Sequence, residues 1–249
     1  MSGYVLAADP PTLTVENSIP GAVQVSPDTT MREYWLARAH QHTRDRYLGI
    51  KTSKFPEDLR VYEHLLWVGR PDVVVELGAQ SGGSTLWFRD RLRTLAGYGV
   101  LAAEPRVIAV DLDLSVARQN VAARDPDHEA SIVFVEGDVR DPAVRRDVGL
   151  HVPPGATCMV VEDSAHTDET TAAALDLYAD LVPLGGFFVV EDGCVDIEWM
   201  RENPAWPRGV LPALHLWLSS PAGSAFQVRR DLEVYGLTCH PTGFLQRVR

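Results

Sequence analysis

Residues 72–85, DVVVELGAQSGGST, limit what this chain can fold into more than any other stretch. Val73, Val74 and Val75 are consecutive and β-branched, which suits a strand covered on both faces; a half-exposed strand would alternate apolar and polar residues. Gly78, Gly82 and Gly83 then permit a sharp turn and a close backbone approach to a ligand. Leu86 to Leu95 resumes with helical spacing. Strand, glycine loop and helix in that order make a nucleotide-type cradle at the carboxyl end of a central strand.

The same alternation recurs downstream. RVIAVDLD at 106–113, SIVFVEGD at 131–138, ATCMVVEDSAH at 156–166 and GGFFVVEDG at 185–193 read as further buried strands. Helical patterns over Leu114 to Ala123, Pro142 to Val148 and Glu169 to Val182 separate them. Alternation of this kind requires a parallel sheet with helices on both faces. After a helix at about 209–219, FQVRRDL and GFLQRV read as two closing strands, an antiparallel pair. The expected fold is therefore α/β, a doubly wound, mostly parallel seven-stranded sheet of the Rossmann-like kind. Residues 1–30, with Pro10, Pro11, Pro20 and Pro27, read as an extended arm. Residues 31–70 read as a helical extension in which Pro56, Glu57 and Asp58 suit a helix start and Leu59, Tyr62, Leu65 and Leu66 form an inward stripe. Residues 71–249 make up the ligand-binding domain.

Charge and cysteine usage exclude several functions. A formal net charge of −11 over 249 residues, with no dense Lys/Arg run, repels polyanions, so nucleic acid is not an expected partner. Cys158, Cys194 and Cys239 are too widely spaced for a CxxC knuckle or a disulfide framework, which points to a reduced, cytoplasmic protein. The first residues lack a basic start and a continuous apolar core, and no apolar run reaches the roughly 18 residues of a membrane span. The proline-rich arm and the aromatic helix at 31–48 point to a homo-oligomer.

The glycine loop narrows the ligand. A dinucleotide fingerprint G-x-G-x-x-G needs glycine where this chain has Gln80, whose side chain would obstruct a pyrophosphate, and no Walker Gly-Lys-Ser/Thr follows. A ligand with a ribose but no phosphate remains. Asp111, ending the second strand, can accept from both ribose hydroxyls. Asp138, ending the third, can accept from an adenine amine, with Val139 donating through its backbone. Glu76 can meet a ligand ammonium. Together these describe S-adenosylmethionine, whose sulfonium and ammonium favour an acidic pocket.

A second constellation lies one strand over. Asp163, Glu191 and Asp192 follow the fourth and fifth strands, neighbours about 4.8 Å apart in such a sheet. Three carboxylates that close cannot all stay ionised unaided, so one takes a proton or the group binds a cation. Oxygen ligands in this number suit Mg²⁺, Mn²⁺ or Ca²⁺, and such an ion can chelate two vicinal hydroxyls. His166, three residues past Asp163, is placed to act as general base. Strand alternation allows only one of Glu162 and Asp163 to face the site, and leaves open which. The other histidines show no metal spacing; His40 and His42 read as solvated. Tyr34, Trp35, Tyr47, Trp199 and Trp206 read as core or lid, most of them core.

In order, LGIKTSKFPEDLRVYEHLLW, VVVELGAQSGGSTLWF, VIAVDLD, VEGDVRDP, EDSAHT, GGFFVVEDG and PTGFLQRV resemble the cephalosporin hydroxylase/rhamnosyl O-methyltransferase family over about residues 32–248. The resemblance implies a class I S-adenosylmethionine-dependent methyltransferase fold. It also implies a cofactor loop at Glu76, Gly78, Ser81 and Gly82, a ribose acid at Asp111, a Mg²⁺ site at Asp163, Glu191 and Asp192, and a catalytic His166. Two departures stand out: Thr170 where the family often has a second histidine, and Cys194 to Pro207 where it has an Asn-containing Gly-Pro-Gly-Pro loop. The expected function is metal-assisted O-methylation of a sugar hydroxyl, on a deoxysugar such as rhamnose, in secondary metabolism. A catechol- or phenol-directed methyltransferase and a non-catalytic, cofactor-binding partner of a tailoring enzyme are the alternatives.

Overall fold

The computed structural model describes residues 25–101 and 104–249. Of the arm expected over 1–30, residues 1–24 lie outside the described residues.

Helix α1 (Met31–His42) starts at Thr30, which forms a capping box with Glu33. A short hairpin, β1 (Arg46–Tyr47) with β2 (Ile50–Lys51), leads into α2 (Pro56–Gly69). The main sheet then follows: β3 (Val73–Leu77), α3 (Gly83–Gly97), β4 (Arg106–Asp111), α4 (Ser115–Arg124), β5 (Ile132–Glu136), α5 (Pro142–His151), β6 (Cys158–Glu162), α6 (Asp168–Tyr178), β7 (Phe187–Val190), α7 (Val210–Leu218), β8 (Phe226–Val228) and β9 (Phe244–Arg247). Its seven strands lie in the order β5-β4-β3-β6-β7-β9-β8. β3 to β7 are parallel, and β9 runs antiparallel to both β7 and β8. This is the doubly wound, seven-stranded sheet expected from the sequence.

Strand alternation divides the core. Val73, Val75, Leu77, Val160, Phe188 and Val190 face a cluster that includes Val148 of α5, Leu175 and Tyr178 of α6 and Leu214 of α7. Val74, Met159, Val161, Phe187 and Val189 face Tyr62, Leu65 and Leu66 of α2 and Phe88 of α3. Each such apolar side chain removed from water stabilises the fold by about 1.5–3 kcal/mol. The period of two also puts the two strand-end glutamates on opposite faces: Glu76 bonds Thr85 of α3, and Glu162 bonds Thr171 of α6 at 3.5 Å. Among the described residues no helix is long and apolar enough to cross a membrane.

Asp58 lies with Glu57 in the first turn of α2, as the sequence implies. It is also buried and ties α2 to the loop before β9, accepting from Thr238 Oγ1 at 2.5 Å and from the Cys239 amide at 3.0 Å.

Candidate active site

Sheet topology sets where a ligand can lie. β4 and β5 succeed β3 on one side and β6 and β7 lie on the other, so the crevice outside the carboxyl ends of β3 and β6 is the point where strand order reverses. Gly78 and Asp163 meet there. A Cβ added to Gly78 would lie 1.9 Å from the Asp163 carbonyl oxygen, so a side chain would force the two strand ends apart. A cavity of about 920 Å³ opens above this contact.

Gly78, Asp111, Asp138, Val139, Asp163, His166 and Asp192 all line that cavity, whereas Glu76, Ser81, Gly82 and Glu191 stand outside its lining. Gly82 and Ser81 serve packing: a Cβ on Gly82 would lie 2.9 Å from Val121 of α4, and the Ser81 carbonyl accepts from Asn120 at 3.0 Å. Ser53, Gln80, His166 and Asp192 line the cavity with left-handed backbones, at φ 52°, 45°, 56° and 56°. Each such non-glycine residue costs about 1–3 kcal/mol, and strain of this kind clusters at functional sites.

On one side of the cavity Asp111 is fixed by two backbone donors, Gln80 N–H at 2.8 Å and Leu112 N–H at 2.7 Å. Gln80 therefore adopts its strained turn with its amide aimed at the acid. Asp138 is held by Arg140 at 2.6 Å, and this hydrogen bond keeps its carboxyl below the ordinary range.

On the other side lies the acid cluster. Asp163 faces the cavity, while Glu162 turns to Ser164 and Thr171 and is fully buried, which settles the alternative left by strand parity. Lys54 enters between the acids, with its Nζ 2.6 Å from Asp163 and 2.7 Å from Glu191. Burial penalises its charge most, but Asp163, Glu191 and Glu76 together outweigh that and hold its pKa well above the usual lysine value. The other Glu191 oxygen accepts from Tyr62 Oη at 2.5 Å. Three clustered carboxylates thus have one built-in counter-ion. His166 Nε2 lies 3.3 Å from Asp192 and 3.9 Å from Asp163. Burial alone would lower the His166 pKa; Asp192, then Asp163 and Glu162, raise it above its ordinary value.

The residues fit a divalent cation. Asp163, His166 and Asp192 each offer one ligand atom, all within 4.8 Å of one another, and His166 Nδ1 is buried without a hydrogen-bond partner. Two carboxylates and an imidazole suit a hard or borderline ion. Glu191 stands behind them, with one oxygen on Lys54 and the other on Tyr62.

The sequence model described as rhamnosyl O-methyltransferase/CmcI matches residues 39–248. The chain belongs to this family. It is 27% identical over 226 residues to the rhamnosyl O-methyltransferase of Mycobacterium bovis, covering 88% of this chain and 86% of that protein. Against the Mycobacterium leprae protein of the same name it is 26% identical, covering 92% and 95%. A CmcI structure with Mg and SAM shares the fold at a TM-score of 0.59 and 21% identity, covering 100% of this chain and 90% of that one. An apo-structure of CmcI does so at 0.61 and 22%, with the same coverage. Membership of the rhamnosyl O-methyltransferase/CmcI family places the chain among the class I S-adenosylmethionine-dependent methyltransferases.

Several site residues escaped the sequence reading of this family member. Lys54 and Tyr62 lie in LGIKTSKFPEDLRVYEHLLW, where the helical stripe placed Tyr62 inward but nothing assigned it to an acid. His42, read as solvated, lines the cavity and packs edge-on against Phe55 at 4.9 Å. His240 is buried, and its Nδ1 accepts from the Asp192 amide at 3.2 Å, which fixes the turn carrying that acid. Trp35 donates to the Met200 carbonyl at 2.6 Å and lines the cavity with Trp206, whereas Trp199 is 40% exposed.

Glu76 carries a testable consequence. Burial pushes its carboxyl from 4.5 up to about 7, against the opposing charge of Lys54 and hydrogen bonds from Ser84 and Thr85, and its Oε1 has no partner. Between those pH values the folded chain holds a proton that the unfolded chain has lost, so stability falls as pH rises through this window. Glu76→Gln is expected to exceed the wild type in stability above pH 7 by on the order of 3 kcal/mol, with the gap closing towards pH 4.5. Thermal unfolding across this range checks it; a gap that does not vary with pH refutes the account.

Proposed function

We propose that this chain methylates a sugar hydroxyl, using S-adenosylmethionine as donor and a hard divalent cation of the Mg²⁺ class to position the acceptor. The observation that carries the reading is the convergence of Asp163, His166 and Asp192 on the same cavity that holds Asp111, at the switch point of the sheet. The names of the mycobacterial relatives support a rhamnosyl acceptor. In this reading Asp111 holds the ribose hydroxyls, across the cavity that Gly78 also lines. Asp163 and Asp192 hold the cation, with Glu191 as reserve ligand behind Lys54. When bound, such an ion orients a diol and lowers the pKa of one hydroxyl. His166 takes that hydroxyl's proton at Nε2, within reach of the acids that stabilise the resulting imidazolium. Trp35, Met200 and Trp206 form an apolar wall of the cavity against which an acceptor ring can pack. Much of the rate then comes from positioning.

The same wall favours a second reading, an aromatic vicinal diol stacked on Trp35 or Trp206. One experiment separates them. S-adenosylhomocysteine at a hundred times its Kd is expected to stabilise the chain by about 2.7 kcal/mol, and Asp111→Ala to remove the shift. With donor and Mg²⁺ present, mass spectrometry of a panel of rhamnosides and catechols is expected to show +CH₂ products on rhamnosides. Methylation confined to catechols would establish the second reading. Undiminished turnover in EDTA would remove the cation from the mechanism.

A further inference from the structure

Cys194 and Cys239 stand beside the acid cluster, and the reaction above uses neither. Cys194 belongs to the turn Gly193–Asp196 after β7, and Cys239 to the loop before β9. The Cys194 amide donates to the Cys239 carbonyl at 3.1 Å, which clamps the two loops together. The Cys239 amide is in turn fixed by Asp58. Both residues line the cavity although they are only 7% and 6% exposed. Both sulfurs and a carboxylate oxygen of Asp192 lie within 4.8 Å of one another.

A buried cysteine is ordinarily a small apolar side chain. Cys158 fits that description: it begins β6, at the end of the strand away from the site, is 2% exposed and does not line the cavity. Cys194 and Cys239 differ because a carboxylate oxygen lies within 4.8 Å of both sulfurs and both residues line the cavity. Cys194 also opens the segment in which this chain departs from its family's pattern.

We propose that Asp192, Cys194 and Cys239 form a binding site for a thiophilic divalent ion of the zinc and cadmium class. Three protein ligands with a fourth position open to the cavity match a zinc centre, and paired thiolates discriminate against Mg²⁺ and Ca²⁺. On binding, two S–H bonds break, two metal–sulfur bonds form and two protons leave to solvent; no electrons change hands. The backbone clamp holds the two loops before the ion arrives. Asp192 is common to this site and to the proposed hard-cation site, so an ion held by the thiols withdraws that ligand. This last point rests on the proposed function, under which zinc inhibits methyl transfer and a zinc-selective chelator that spares Mg²⁺ reverses the inhibition.

Titration of the reduced full chain with Cd²⁺ alone tests the site without donor or acceptor. The ultraviolet thiolate-to-cadmium charge-transfer band is expected to saturate at one equivalent. Loss of an outer-sphere partner already weakens metal binding by about 10–100-fold, so Cys194→Ser or Cys239→Ser should weaken Cd²⁺ binding by at least about tenfold. Cys158→Ser should bind as the wild type does. No band in the wild type, or undiminished bands in both serine variants, overturns the proposal. Should the variants misfold by circular dichroism, alkylation of the wild type decides. Zn²⁺ is expected to slow iodoacetamide labelling of Cys194 and Cys239, read by peptide mass spectrometry, and equal labelling with and without Zn²⁺ overturns the site. A chain that binds Cd²⁺ this way yet methylates nothing would refute the proposed function and leave the thiol site standing.

Discussion

Lys54→Met is expected to destabilise the cation-free protein by about 3–5 kcal/mol, the usual consequence of removing one partner from a buried ion pair. Methionine keeps the length and apolar stem of the side chain and removes only the ammonium. Asp163 and Glu191, 2.6 and 2.7 Å from that ammonium, then lose their direct counter-ion and keep only the His166 ring beside Asp163. Urea unfolding in EDTA, followed by circular dichroism, measures the loss. Mg²⁺ or Mn²⁺ should raise the midpoint further in the variant than in the wild type, because the ion meets an additional uncompensated charge and Glu191 is released to join its ligands. A variant as stable as the wild type in EDTA would show that Lys54 does not organise the cluster. An equal response to Mg²⁺ would show that it does not compete with the cation.

Lys54 also marks the limit of what the sequence could convey. The parallel strands were legible because burial on both faces leaves uninterrupted runs such as Val73 to Val75 and Phe187 to Val190. The acids Asp111, Asp163 and Asp192 were legible because a parallel sheet brings its carboxyl ends to one edge, so position in the strand stands in for position in space. Lys54 comes from an irregular loop 109 residues before Asp163, and no periodicity relates the two. The spacing of the acids implies a proton or a cation among them; that Lys54 Nζ stands between Asp163 and Glu191 depends on how α2 packs over the sheet. Ser81 and Gly82 illustrate the converse. A glycine-rich turn looks alike whether its glycines admit a ligand or a neighbouring helix, and here Gly82 admits α4 while Gly78 admits the end of β6. Glu162 and Asp163 differ by one residue, and only the contact of Glu162 with α6 shows which faces the cavity.

His166→Ala is expected to lower kcat by about 10²–10⁴-fold, the range for loss of a positioned general base, while S-adenosylhomocysteine still stabilises the variant. The split follows from location: His166 contacts the acid cluster, and Asp111, on the opposite side of the cavity, is held by Gln80 and Leu112. A merely structural histidine would lower stability and donor binding together. The pH profile adds a second criterion. Burial works against the charged ring, but Asp192 and Asp163 outweigh it and raise the pKa above the ordinary 6.5. A base acts in its neutral form, so wild-type kcat should climb as pH rises through the pKa that His166 has beside the bound cation and level off above it. The climbing limb should vanish in His166→Ala, whose residual rate comes from positioning alone. Wild-type kcat in the variant, or an unchanged acid limb, would assign the proton to another acceptor.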